Sequence, residues 1–99
     1  MAFVQIIELR TKQFEGLDEL NEQWRKATEG TRTLRREVVA RDRNDPDRYL
    51  LPAFFDSYES AMENSKTPRT QEMAQKMMAL GDGPPTFYNL DVLDDRSVG

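Results

Sequence analysis

The chain has 99 residues, 37% hydrophobic and 32% charged, a net charge of −4, and neither cysteine nor histidine. That length allows one domain with one modest core, and the missing residue types exclude disulfides and thiolate or imidazole zinc sites. The charges are mixed; no basic stripe with interleaved aromatics offers itself to nucleic acid.

The one cationic concentration, Arg32, Arg35, Arg36, Arg41 and Arg43, is punctuated by Glu37 and Asp42. Alternation along a strand would split it between two faces. The opening MAFVQIIELRT is a short apolar run followed by charge, without the basic start and longer apolar core of a signal peptide. No run approaches about 20 apolar residues, so the expectation is a cytoplasmic protein with no membrane partner.

Phe3 to Arg10 reads as the first strand, with Phe3, Ile7 and Leu9 on one parity and Val4 and Ile6 on the other. Apolar residues on both parities imply a sheet covered on both sides. Phe14 to Glu29 follows as a helix, its stripe formed by Phe14, Leu17, Leu20, Trp24 and Ala27, with Gly30 placed to end it. Thr33 to Arg43 is the second strand. The turn Asn44-Asp45-Pro46-Asp47 leads to a third strand over Tyr49 to Phe55. Pro52 lacks a ladder donor there, which points to an edge position or a bulge. Asp56 and Ser57 open a second helical region, which Ser65-Lys66-Thr67-Pro68 should break before it resumes over Thr70 to Leu80. Gly81 to Pro85 ends it, Thr86 to Leu93 is the last strand, and Asp94 to Gly99 is a tail.

The order is β-α-β-β-α-β: an α+β, ferredoxin-like fold with a four-stranded antiparallel sheet and its helices on one face. Residues 1–93 form the single domain and 94–99 the tail. Strands 1 and 3 are apolar on both parities, so the face without helices needs a cover. A second copy of the chain supplies one, and a homodimer is expected.

The strand FVQIIELRT, the stretch DPDRYLLPAFFDSYESAMEN and the closing GPPTFYNLDVL resemble the dimeric α+β barrel superfamily, and within it the antibiotic biosynthesis monooxygenase-like (ABM-like) proteins. The resemblance runs from Phe3 to Leu93 and rests on patterns of small, aromatic and turn residues. It implies a homodimer and a ligand cavity between the sheet and the kinked second helix. Gln5, Arg36, Phe54, Tyr58, Met62, Asn64, Arg69, Met73 and Met77 would line that cavity, with Trp24 from the first helix. Such families include cofactor-independent oxygenases of aromatic substrates, polyketide cyclases and haem-degrading enzymes.

Three residues are the candidate catalytic groups. Gln5 shares a parity with Phe3, Ile7 and Leu9, and a buried amide needs either a partner or a ligand. Asn64 precedes the helix break, where it either caps the helix or donates to a substrate oxygen. Tyr58 offers a phenolic proton or simply packs with a wet end. Asn89 and Tyr88 invite the same pairs of readings. Trp24, Arg36, Phe54, Met62, Arg69, Met73 and Met77 are the candidate ligand-binding residues, with the methionines as an adaptable apolar lining. Arg36 alternatively pairs with an acidic neighbour. Asp42, Asn44, Asp45 and Asp47 fail the calcium-loop spacing and read as a turn, so no metal site is expected.

The missing histidine speaks against the haem-degrading activity, which the resemblance ties to a pocket histidine. No phosphate loop or dinucleotide fingerprint supports a flavin or nicotinamide, and no cofactor is expected. Two functions stay open. One is a cofactor-free monooxygenase, or a related cyclase, acting on a small apolar aromatic or polyketide-like compound. The other is a non-catalytic dimeric module for such a ligand or for assembly.

Overall fold

In a computed structural model describing residues 1–99, eight elements follow one another. They are β1 (Phe3–Arg10), α1 (Phe14–Ala27), β2 (Arg36–Glu37), β3 (Ala40–Asp42), β4 (Asp45–Phe55), α2 (Tyr58–Ser65), α3 (Pro68–Leu80) and β5 (Thr86–Asp91). The sheet runs β2-β4-β1-β5, with β3 also on β4, and every pairing is antiparallel. This is the ferredoxin-like α+β order expected from the sequence.

The expected second strand is divided into β2 and β3, and proline explains the division. Pro52 pairs with Ile6 of β1 on one side, while its carbonyl accepts from the Val38 amide at 2.9 Å on the other. Having no N–H to return that bond, it interrupts the ladder opposite Val38 and Val39. Pro52 therefore sits in an inner strand rather than at an edge. The turn is also tighter than expected. Asp45 already belongs to β4, and Asn44 donates its backbone N–H to Asp42 Oδ1 at 2.8 Å.

Pro68 opens α3 instead of lying ahead of it. Thr67 is its N-cap, accepting from the Thr70 amide, and proline at the first helical position sacrifices no intrahelical bond. The start of α2 carries a reciprocal cap: the Ser60 amide donates to Ser57 Oγ at 3.1 Å, and the Ser57 amide to Ser60 Oγ at 3.1 Å. Ser57→Ala should cost about 1 kcal/mol of stability, read as a lower urea midpoint with an unchanged slope.

The odd parity of β1 and β4 faces the helices. One core cluster gathers Leu9, Leu17, Leu20, Leu51 and Met77, and a second gathers Phe3, Phe55 and Ala61. Between them the register sets Glu37 opposite Ala53, Ala53 opposite Gln5, and Gln5 opposite Asn89. A row of three polar side chains and one small one thus crosses the sheet where large apolar residues would otherwise join the two clusters. That row leaves a space under the helices. No helix is long and apolar enough to cross a membrane.

Candidate functional site

The space is a cavity of about 310 Å³, between the helix-facing side of the sheet and the helices α1, α2 and α3. It lies at the small end of ligand-sized cavities, and 13 of its 22 lining residues are hydrophobic, which suits a flat apolar molecule.

Trp24 presents its ring to this space from α1. Its indole N–H donates to Thr70 Oγ1 at 3.1 Å, and the Arg32 guanidinium lies 5.9 Å from the ring centre. The polar edge is thereby satisfied and the ring is held by α3 on one side and a cation on the other. Asn21, three residues earlier on the same face, also lines the cavity. It is only 5% exposed, yet its side-chain amide makes no hydrogen bond within the chain. No buried side-chain polar atom in the chain lacks a partner, so the Asn21 amide keeps its contact with solvent through the cavity.

Asn64 reaches the cavity from the end of α2. Its backbone carbonyl closes the helix, accepting from Thr67 Oγ1 at 2.9 Å and from the Thr67 amide at 3.3 Å. The terminating role therefore falls to the main chain, and the side-chain amide stays free. Gln5 differs: its Nε2 donates to Asn89 Oδ1 at 3.0 Å across the β1–β5 pair. The two amides suspected on the strands satisfy each other. Glu37 contributes a carboxylate from β2, whose Oε1 accepts from Arg25 Nε at 2.9 Å.

Gln5, Trp24, Asn64, Met73 and Met77 thus meet around one cavity. The other residues expected there do not. Phe54 has the even parity of β4 and faces away from the helices, where the Arg36 guanidinium stacks 5.4 Å from its ring centre. Tyr58, the first residue of α2, is 51% exposed and meets the Phe3 ring edge-on at 5.4 Å. Met62 packs against the Phe3–Phe55–Ala61 cluster. Arg69 turns with the start of α3 toward α1 and borders a separate space of about 70 Å³ with Glu72 and Lys76.

Tyr88 also lies on the far face, where its hydroxyl donates to Glu8 Oε1 at 2.8 Å. Arg48 bridges Glu8 and Asp42 at 2.9 and 3.0 Å. The Arg48 and Tyr88 hydrogen bonds hold the Glu8 carboxyl below its ordinary range, and the same Glu8 contact pushes the Tyr88 phenol up. Asp45 and Asp47 pair with Arg10 and Lys12.

Sequence reasoning passed over Asn21 and Glu37. Asn21 had a signal: it stands four residues after Leu17 and three before Trp24, a polar residue on the apolar stripe. Glu37 was hidden within an arginine-rich run.

No protein-family model and no curated protein matches the chain. Solved structures do. Rv0793 from Mycobacterium tuberculosis superposes with a TM-score of 0.80 at 15% identity, over 98% of this chain and 100% of its own. SnoaB, a cofactor-independent oxygenase from Streptomyces nogalater solved as a variant, gives 0.79 at 10% identity, over 95% of each chain. A structure described as an antibiotic biosynthesis monooxygenase gives 0.74 at 12% identity, over 95% of this chain and 100% of its own. Likeness at such identities concerns the backbone, and on that basis the chain has the ferredoxin-like α+β fold of the antibiotic biosynthesis monooxygenase-like structures.

Proposed function

We propose that the protein is a cofactor-free, monooxygenase-like enzyme that works as a homodimer on a small, flat aromatic or polyketide-like compound. The observation that carries this reading is the Asn21 amide, which makes no hydrogen bond within the chain and lines an apolar cavity. A ligand oxygen is the partner it lacks. An aromatic compound inserted beside Trp24, Met73 and Met77 would bring a carbonyl or phenolic oxygen to the Asn21 and Asn64 amides. Charge developing on that oxygen would then meet amide donors at the wall of a largely apolar cavity. A compound that forms a stable carbanion or phenolate reacts with dioxygen directly, so the protein need only bind, orient and desolvate it. The fold shared with SnoaB, itself described as a cofactor-independent oxygenase, supports this choice of chemistry.

Anthrone is a suitable probe, because its carbanion takes up dioxygen to yield anthraquinone and water. The expected result is oxygen uptake and anthraquinone formation faster with protein than in buffer alone. Oxygen uptake equal to the buffer rate would remove the enzyme reading. The non-catalytic module is favoured by the Gln5–Asn89 bond, which leaves the sheet row with fewer free donors. It predicts quenching of Trp24 fluorescence by the probe with no oxygen uptake.

The dimer rests on the sheet face away from the helices. Val4, Ile6, Leu50, Pro52 and Phe54 are only half-buried there, and Leu90 is exposed. A second copy laid across this face would remove that apolar surface from water. Ile6→Glu would bury a charge without a partner and should weaken dimerisation by roughly a hundredfold or more. Light scattering should then give the mass of one chain, against two for the native protein. A native monomer would overturn the dimeric reading.

A further inference from the structure

We propose that Glu37 is the proton acceptor of the cavity: its carboxylate takes the acidic C–H or O–H proton of the bound aromatic compound. The bond to hydrogen breaks, its electron pair stays on the compound as a carbanion or phenolate, and the proton forms an O–H bond at Glu37 Oε2, leaving a neutral carboxyl group. The assignment rests on the reading of the cavity as a site for such a compound. Its own grounds are separate from that reading.

Glu37 is the one ionisable side chain among the 22 that line the cavity; there is no lysine, arginine, aspartate or tyrosine with it. Asn21 and Asn64 are donors that neither take nor give a proton at neutral pH. The position follows from the sheet, since Glu37 stands opposite Ala53 in the polar row and the alanine leaves the carboxylate room to face the cavity. One oxygen, Oε1, is fixed by Arg25 Nε at 2.9 Å, and Oε2 has no hydrogen-bond partner in the chain. The side chain is 25% exposed, so the group is neither sealed in the core nor loose in solvent. A carboxylate oriented through one oxygen and open at the other is built to receive a proton.

Few charges surround it. From α1 it meets Arg25, which itself is shared with Glu22 at 2.6 Å. The lining from β1, β4, β5, α2 and α3 is uncharged.

The test separates proton removal from oxygenation. Anthrone is held with the protein in deuterated buffer without oxygen, and exchange at its methylene carbon is followed by proton NMR. The native protein should accelerate exchange, and Glu37→Gln, which keeps an oxygen for Arg25, should lose about a hundredfold or more of that acceleration. Retained quenching of Trp24 by anthrone in the variant would show that the cavity is intact. Equal exchange in the native protein and Glu37→Gln, or no exchange in either, would overturn the assignment. Rapid exchange lost in Glu37→Gln, with no oxygen uptake by the native protein in air, would support the proton acceptor and remove only the oxygenase reading.

Discussion

Asn21→Leu is expected to slow anthrone oxidation by about 10²–10³-fold while leaving stability within about 1 kcal/mol of native. Asn21 makes no side-chain hydrogen bond in the chain, yet no buried polar side-chain atom lacks a partner, so its amide keeps contact with solvent through the cavity it lines. Leucine is of similar size, and the neighbours on α1, Leu17, Leu20 and Trp24, are apolar. With substrate bound, the amide donates to an oxygen on which charge develops. Urea denaturation and an oxygen electrode read stability and activity separately. A variant that is equally active would remove Asn21 from the site.

Leu17→Ala should destabilise the protein by about 2–5 kcal/mol, the cost of lost burial plus the cavity left behind. Leu17 is fully buried, and it packs in the cluster that joins Leu9 and Leu51 of the sheet to Leu20 and Met77 of the helices. Small domains hold about 5–15 kcal/mol in total, so one such truncation removes much of the reserve. In a chain of this size each kcal/mol lowers the melting temperature by roughly 4–8 °C, which calorimetry resolves easily. Val98→Ala, in the exposed tail, should stay within about 0.5 kcal/mol of native. A loss below 1 kcal/mol at Leu17 would mean that the helices are not seated on the sheet through this cluster.

Particular residues show why some of this was legible in the sequence and some was not. The stripe of α1 and the alternation of β1 are local and periodic, and both elements begin where the pattern predicts. Pro52 reads as a ladder breaker from sequence, but its effect falls on the neighbouring strand, dividing β2 from β3, because the bond it cannot make belongs to Val38. Gln5 and Asn89 each stand out as polar residues on apolar parities. Only the register, which sets them opposite each other, makes each the partner of the other. The resemblance implies Phe54 and Arg36 in the cavity, whereas strand parity sends them to the opposite face.

The sequence by itself determined the order of elements, the ferredoxin-like class, the core stripe of α1, the helix break near Pro68 and the absence of imidazole and thiol chemistry. These follow from periodicity, backbone restriction and composition, which are properties of neighbours along the chain. The tertiary structure alone decided which polar groups share the cavity. Asn21, Glu37 and Asn64 come from α1, β2 and α2, and meet only through the strand register and the seating of the helices on the sheet. It also decided which amides are already partnered and which are free, because a hydrogen bond depends on what lies across the sheet and not on what comes next in the chain.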